Sequence, residues 1–227
     1  MSRVLEVCTG SLGSVLAAAE GGAERIELCS ALPLDGLTPS VGLLSEVRHL
    51  FPRLRIHVLI RPREGNFVYG DAELRIMERD IGAALPYADA IVSGALTAEN
   101  EIDLKATRRL IKASGDRPFT FHRAFDVCRD PHESLERLIG LGCHRVLTSG
   151  QAATAEEGIV LLRQLVRQAN GRITILPGGG VNAHNARIIL DETGTTEIHG
   201  SASAVTPEGI KMTSAREVAQ ILKSIQG

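Results

Sequence analysis

Short apolar runs rich in β-branched residues alternate along the chain with longer segments whose apolar residues recur at helical spacing. The apolar runs begin near Arg3, Arg25, Arg55, Asp89, Pro118, His144, Arg172 and Thr196. Their mean spacing of about 28 residues is the length of a β-strand, a loop and a helix. The pattern therefore predicts eight strand–helix units.

The helical segments carry start signals and one apolar face each. Thr154 and Glu157 have the spacing of a capping box, in which each side chain accepts a hydrogen bond from the other's backbone N–H. Asp130 before Pro131 is a second start signal, because proline at the first helical position loses no hydrogen bond. Apolar positions at helical spacing include Leu74, Met77 and Ile81.

Eight such units with short connections predict one parallel sheet with right-handed crossovers, and eight is the number that closes a barrel. The alternative is an open, doubly wound sheet. It is disfavoured because residues 8–13, after the first strand, lack a G-x-G-x-x-G phosphate loop, and no switch between two halves is visible. We therefore predict an α/β fold, a (β/α)8 TIM barrel that forms a single domain over residues 1–227.

Polar residues alternate with apolar ones inside the strands. Leu5 and Val7 form the apolar set of the first strand, so Glu6 and Cys8 are expected to face the barrel axis. The same alternation predicts that further polar residues face the interior: Glu27, Cys29, His57, Arg61, His122, His199 and Ser201.

These interior residues need an explanation, because an unpaired buried charge costs several kcal/mol. Barrel enzymes place their active sites at the carboxyl ends of the strands, where Cys8, Cys29, Arg61, His122, His199 and Ser201 are predicted, with Glu6 and Glu27 one layer below. The alternative is a satisfied ionic network that fills the barrel, with the cysteines as small buried apolar groups. Both interpretations stay open at this point.

Composition narrows the function classes. There are 25 Lys and Arg against 27 Asp and Glu, no Trp and only two Tyr, so neither a basic field nor stacking platforms for a nucleic acid are expected. No apolar run reaches the roughly 18 residues of a membrane-spanning helix. Arg3 and Glu6 stand where a signal peptide would be apolar, so a cytoplasmic protein with reduced thiols is expected, and Cys128 and Cys143 receive no role.

Several motifs resemble the CutC copper homeostasis family. They are EVC at 6–8, RIELC at 25–29, GLTPS at 36–40, IRPR at 60–63, TFHRAFD at 120–126 and RVLTSG at 145–150. The resemblance implies a cytoplasmic (β/α)8 barrel, a homodimer and a link to copper handling. The chain departs from the family pattern after Arg63, with Glu64 for a glycine and Asn66 for an acid, and the segment after His199 is shorter than usual.

The first functional hypothesis is Cu(I) binding. Thiolates are soft ligands that select Cu(I) over harder cations. Cys8 and Cys29 are the only cysteines predicted at neighbouring inner strand ends, and the family resemblance points to the same pair. Strands about 4.8 Å apart can bring both sulfurs to one ion if the register places them level. The alternative is a pair of reduced packing thiols.

The second hypothesis is an enzyme that acts on a small phosphorylated, carboxylate or sugar-like molecule. His122 is the expected general acid or base, tuned by Glu27 or Glu6, and Arg61 would bind an anion in two-point fashion. The other expected binding residues are His57, Arg63, Gly179, Gly180, His199 and Ser201.

Two details of this second site stay open. Gly179 and Gly180 follow the seventh strand, where many barrels bind phosphate, but sharp turns also require glycine. Arg123 is expected at the rim and shares the alternation of Phe121, so a salt bridge beneath the helices is the alternative to a ligand role.

Overall fold

Eight parallel strands form the central sheet of the computed structural model, which describes residues 3–205 and 209–226: β1 (Val4–Thr9), β2 (Arg25–Leu28), β3 (Arg55–Leu59), β4 (Ala90–Ser93), β5 (Phe119–Phe121), β6 (Arg145–Thr148), β7 (Thr174–Pro177) and β8 (Glu197–Gly200). The neighbour order is β7-β6-β5-β4-β3-β2-β1-β8. A parallel bridge between Gly178 and His199 joins the two ends of this order. The predicted (β/α)8 TIM barrel is therefore confirmed, and the open sheet is excluded.

A helix follows each of these strands in the chain: α1 (Leu12–Glu20), α2 (Val41–Leu50), α3 (Asp71–Ala84), α4 (Leu104–Ala113), α5 (Pro131–Gly140), α6 (Ile159–Ala169), α7 (Ala186–Thr193) and α8 (Ala215–Gln226). On α3, Leu74, Met77 and Ile81 are buried, as their spacing predicts. None of the described helices combines the length and the apolar character that crossing a membrane requires.

The two predicted helix starts have different outcomes. Asp130 caps α5, because its side chain accepts hydrogen bonds from the backbone N–H groups of His132 and Glu133. Thr154 accepts from the Glu157 N–H at 3.2 Å, but α6 begins only at Ile159. The intervening Gly158 packs so closely on the loop after β6 that a Cβ there would lie 1.8 Å from the Ser149 carbonyl oxygen. Gly158 therefore packs on that loop, and the helix begins at the next residue, Ile159.

The strand alternation is as predicted on the outer face of the barrel. Leu5 and Val7 of β1 and Ile26 and Leu28 of β2 are at most 2% exposed and belong to the apolar core between sheet and helices. Burial of such side chains stabilises the fold by about 1.5–3 kcal/mol each. The polar residues that alternate with them therefore face the barrel interior.

An additional two-stranded sheet lies between β8 and α8. Its strands β9 (Ser203–Val205) and β10 (Lys211–Thr213) are antiparallel, with Ala204 opposite Met212. The alternation of strands and helices along the sequence did not predict this pair. It brings Lys211 and Ser203 to the carboxyl end of the barrel.

Candidate functional site

The carboxyl ends of the strands surround an open cavity of about 700 Å³. Four of the residues expected in the site do not line it: Glu6, Cys29, His57 and Arg63. The other expected residues do: Cys8, Glu27, Arg61, His122, Gly179, Gly180, His199 and Ser201. The strand alternation therefore identified most of the cavity, but the expected depth was wrong for Glu27, which lines the cavity, and for Cys29, which does not.

One wall of the cavity carries a compact group of Cys8, Glu27 and His199. Cys8 lies opposite Glu27 in the register of β1 and β2, and its thiol donates to Glu27 Oε1 with a separation of 3.6 Å. The ligand atoms of the three side chains all lie within 4.8 Å of one another. A sulfur, a carboxylate oxygen and an imidazole nitrogen this close together can hold a metal ion or exchange protons.

Cys29 lies next to Cys8, on the side away from the cavity. Its sulfur lies 3.9 Å from Cys8 Sγ and 3.4 Å from the Thr9 carbonyl oxygen, to which its thiol donates. The register pairs Cys8 with Glu27 and not with Cys29, so the two cysteines are not level. Cys29 is fully buried and does not reach the cavity. The two sulfurs are adjacent, but only Cys8 is accessible from the cavity.

The carboxylate of Glu6 lies beneath this group and is fully buried. It contacts His199 Nδ1 at 2.9 Å, His57 Nδ1 at 2.6 Å and Arg25 Nε at 2.9 Å. Arg25 also contacts Glu197, which binds Arg145. Glu6 and His57 therefore belong to the ionic network that was the alternative interpretation, and Glu6 contacts the cavity residue His199. Outside the cavity they act as supports for the site residues.

The surroundings shift the pKa of each group in this wall. Burial would raise the pKa of Glu6, but His57, His199 and Arg25 hold it well below its usual range. For Cys8, the hydrogen bond with Cys29, burial and the charge of Glu27 raise the pKa of the thiol well above its usual value.

The other two groups of the wall also have raised pKa values. Burial raises the pKa of Glu27. Burial alone would lower the pKa of His199, but its hydrogen bonds with Cys8 and Glu6 raise it well above its usual value. Cys8 and His199 therefore keep their protons near neutral pH, and a metal ion would displace them.

His122 stands at the end of β5, on another part of the wall. Its Nδ1 accepts a hydrogen bond from the Ala124 N–H at 3.2 Å, and its ring packs 4.9 Å from that of Phe67. Burial and the charge of Arg61 lower the pKa of His122 to about 3. This differs from the expected acid–base role tuned by Glu27 or Glu6, because the imidazole stays neutral. It presents an Nε2–H donor that has no partner among the residues described.

The two arginines after β3 bind loops. Arg61 donates through Nη1 to the carbonyl oxygens of Leu34 and Gly36 and through Nη2 to that of Gly65. Arg63 Nε contacts Glu73 at 2.5 Å, and its Nη2 donates to the Asn66 side chain. Most of the Arg61 donors are thus occupied, which differs from the expected two-point anion clamp. Of its three nitrogen atoms, only the buried Nε has no partner within residues 3–205 and 209–226.

Gly179, Gly180 and Ser201 lie on the wall formed by the ends of β7 and β8. The φ angles of Gly179 and Gly180 are 106° and 72°, a region that favours glycine. Both interpretations of these glycines thus stay compatible, since the turn requires them and they also line the cavity. Ser201 Oγ lies 3.0 Å from Ser203 Oγ, which connects β8 to the additional sheet.

Arg123, which the sequence places at the rim, lines the cavity. It forms a salt bridge with Asp126 at 2.7 Å, but the pair lines the cavity and does not lie beneath the helices. The alternation of Phe121 does not extend to Arg123, because β5 ends at Phe121 and a 3-10 turn covers Arg123–Val127. The only sequence signal was its place directly after a predicted strand.

A glycine beside His122 provides a test of this geometry. A Cβ at Gly94 would lie 2.8 Å from His122 Nδ1 and 3.0 Å from Phe121 Cζ. We expect Gly94→Ala to lower the free energy of unfolding by about 1–3 kcal/mol through overpacking. The matched control is Gly82→Ala in α3, where nothing lies within 4 Å. It is expected to raise stability by about 0.5–1 kcal/mol. Urea unfolding measures both, and equal effects would contradict the placement of His122.

The neutral state of His122 predicts a pH dependence of stability. Its pKa is about 3 in the folded protein against 6.5 for an unperturbed histidine, so the unfolded chain binds its proton first as the pH falls. Stability from this residue is therefore present above pH 6.5 and is lost below it, by about 1.4 kcal/mol per pH unit.

The variant His122→Asn isolates this effect, because asparagine keeps an acceptor for the Ala124 N–H and does not titrate. We expect the unfolding free energy of the wild type, relative to the variant, to fall steadily from pH 6 to pH 4. Urea unfolding at a series of pH values measures it. A constant difference would show that His122 is protonated in the folded state as easily as in the unfolded one.

Comparisons with known proteins agree with the motifs. The CutC family model matches residues 3–204. A CutC family protein of Bacteroides thetaiotaomicron is 53% identical over 198 residues, 87% of this chain and 80% of that protein. A human copper homeostasis protein cutC homolog is 45% identical, covering 92% of this chain and 76% of its own. The crystal structure of a Streptococcus agalactiae CutC protein superposes with a TM-score of 0.84 at 40% identity, covering 88% and 98% of the two chains. The chain belongs to the CutC family.

Proposed function

We propose that this protein serves copper homeostasis by binding Cu(I) between Cys8 and Cys29. The observation that carries the proposal is the 3.9 Å separation of the two sulfurs. One ion with metal–sulfur bonds of about 2.3 Å, the length found for zinc, spans that distance. Thiolates are the ligands that favour Cu(I) over the harder cations of the cell. Only Cys8 reaches the cavity, so an ion would enter past Cys8.

His199 and Glu27 complete the site in this proposal. Both have a ligand atom within 4.8 Å of Cys8 Sγ. Glu27 Oε2 is buried and has no hydrogen-bond partner in the described part of the chain, as expected of an atom left for a ligand. The imidazole of His199 is a further donor for copper, and Glu6 holds its Nδ1 side in place.

The relatives support the wider setting of this function. The human and the streptococcal proteins carry copper homeostasis in their names. We further propose that the chain works in the cytoplasm, as one barrel domain over residues 1–227 and as a homodimer. A cytoplasmic location keeps the thiols reduced, as Cu(I) binding requires. Sedimentation velocity with the pure protein tests the dimer.

An anaerobic titration tests copper binding itself. Reduced protein competes for Cu(I) with a chromophoric chelator, and the loss of chelator absorbance reports the bound metal. We expect one equivalent of Cu(I) per chain. Zn²⁺ and Mg²⁺ at the same concentration are not expected to displace it. A protein that leaves all Cu(I) on a weak chelator would contradict the proposal.

A second candidate function is catalysis on a small phosphorylated, carboxylate or sugar-like molecule. The observation that favours it is the open cavity of about 700 Å³, which is much larger than a single ion needs. Glu27 would transfer a proton, because its raised pKa suits a general acid or base. The neutral His122 would donate its Nε2–H to a substrate oxygen, and Arg61 would hold the loops that shape the pocket.

Proton exchange tests this second function without a known product. Sugar phosphates, hydroxy acids and free sugars are incubated with metal-free protein in D2O, and NMR follows exchange of their carbon-bound hydrogens. We expect at least one compound to exchange with the wild type and not with Glu27→Gln. If Glu27→Gln exchanges as fast as the wild type, or no compound exchanges or is consumed, the role of Glu27 is excluded.

A further inference from the structure

The cavity has a wall that the copper site leaves unused. It is formed by Arg123 after β5 and by Gly179 and Gly180 after β7, across the barrel from the end of β2. The backbone N–H group of Gly180 has no hydrogen-bond partner within residues 3–205 and 209–226, whereas that of Gly179 faces the His199 carbonyl oxygen across the parallel bridge between Gly178 and His199. Free N–H groups in a turn of positive φ are typical of anion-binding sites.

Arg123 adds a positive charge at the same place. Its Nε contacts Asp126 Oδ2 at 2.7 Å and its Nη2 donates to Ser149 Oγ at 3.3 Å. A methyl group at Gly179 would lie 3.7 Å from Nη1, so the guanidinium lies beside the glycine backbone. Nη1 has no partner among the described residues. A guanidinium beside a free N–H group binds oxyanions through charge-assisted hydrogen bonds.

The acid nearest to this wall does not oppose an anion. Asp126 accepts hydrogen bonds from Thr148 Oγ1 at 2.5 Å, from the Ser149 N–H at 2.9 Å and from the Gln151 N–H at 3.4 Å, in addition to its contact with Arg123. Its charge is therefore compensated, and it holds Arg123 in position. The other acids that line the cavity are Glu27 of β2, Asp35 in the loop after β2 and Glu217 of α8.

A second observation points to an organic ligand and not to an ion alone. His122 Nε2 and Arg61 Nε are buried donors without a partner among residues 3–205 and 209–226. Both residues line the cavity, and they are only 5% and 4% exposed. An unpaired buried donor costs about 1–3 kcal/mol, which a ligand oxygen would recover.

We propose that the cavity binds a small organic oxyanion, with its phosphate or carboxylate group on Arg123 and the N–H group of Gly180. An oxygen at the other end of the molecule accepts the Nε2–H of His122. This inference rests on the second candidate function, whose substrate class it narrows, and it does not depend on copper binding.

Binding of simple anions to the metal-free protein tests the inference. Inorganic phosphate and glycolate are the two probes, and calorimetry or ligand-observed NMR measures their affinities for wild type, Arg123→Gln, Arg123→Lys and Arg53→Gln. Arg53 is an exposed arginine before β3, at the opposite end of the barrel, so it controls for net charge. We expect wild type and Arg53→Gln to bind equally and Arg123→Gln to bind roughly tenfold or more weakly.

A preference of the wild type for phosphate over glycolate, or the reverse, identifies the anionic group that the site binds. Arg123→Lys keeps the charge, so retention of binding there, with an unchanged thermal midpoint, separates loss of the anion site from misfolding. No binding of either probe by the wild type, or equal weakening in Arg123→Gln and Arg53→Gln, overturns the inference. Anion binding without any proton exchange would keep the anion site and contradict only the catalytic role of Glu27.

Discussion

Glu6→Gln is expected to lower the free energy of unfolding by about 3–5 kcal/mol, the cost of breaking a buried ion pair from one side. Glu6 is fully buried and carries the negative charge shared by Arg25, His57 and His199. A neutral amide would leave Arg25, which is only 2% exposed, with Glu197 as its remaining acidic partner. The loss is therefore electrostatic, because glutamine has nearly the same volume.

Urea unfolding at pH 7 measures the effect of Glu6→Gln. The matched control is Glu20→Gln, a solvent-exposed glutamate at the end of α1, which is expected to change stability by less than about 0.5 kcal/mol. A loss below about 1 kcal/mol for Glu6→Gln would mean that the network is not ionised in the folded protein.

Cys8→Ser and Cys29→Ser are each expected to weaken Cu(I) binding by at least about a hundredfold, more than the 10–100-fold that loss of an outer partner causes. Serine has nearly the same shape, but its oxygen is a hard donor that does not suit Cu(I). Because both sulfurs would hold the same ion, the double variant is expected to bind little worse than either single variant.

Anaerobic chelator competition measures these affinities. Cys143→Ser is the matched control: Cys143 is buried, but it lies before β6 and outside the cavity. Circular dichroism confirms that each variant is folded. If only Cys8→Ser loses affinity, Cys29 is not a ligand, and Glu27 or His199 is the second one. If Cys143→Ser loses as much affinity, copper binds exposed or unfolded thiols and not this site.

The barrel and its inner face could be predicted because both follow from local rules. Eight apolar runs at regular spacing specify eight strands, and alternation within a strand specifies which side chains face inwards. Cys8, Glu27 and His199 meet at one wall because they belong to strands that are neighbours in the barrel. The family motifs include Cys8 and Glu27 but end before His199.

The parts that the sequence did not predict depend on contacts between distant segments. Arg123 reaches the cavity because a 3-10 turn after β5 is held by Asp126, whose partners are Thr148, the last residue of β6, and Ser149, which follows it. Depth in the barrel is equally non-local: the register of β1 and β2 withdraws Cys29 from the cavity and leaves Cys8 exposed to it. The alternation of residues within a strand specifies neither the position of Arg123 nor the depth of a side chain in the barrel.

The low pKa of His122 also depends on contacts between distant segments of the chain. A histidine after a strand is expected to titrate near neutral pH, but burial and Arg61 lower its pKa to about 3. Those two causes come from packing against Phe67 and from the loop after β3. The imidazole is thereby turned from an acid–base group into a hydrogen-bond donor, which the residue type alone does not reveal.

X-ray absorption at the copper edge, on protein loaded anaerobically with one equivalent of Cu(I), tests the proposed metal site most directly. We expect two sulfur atoms in the first coordination shell of the wild type and one sulfur atom in that of Cys29→Ser. A shell of nitrogen and oxygen atoms only, or a wild-type spectrum identical to that of Cys29→Ser, would contradict a thiolate pair as the copper ligands.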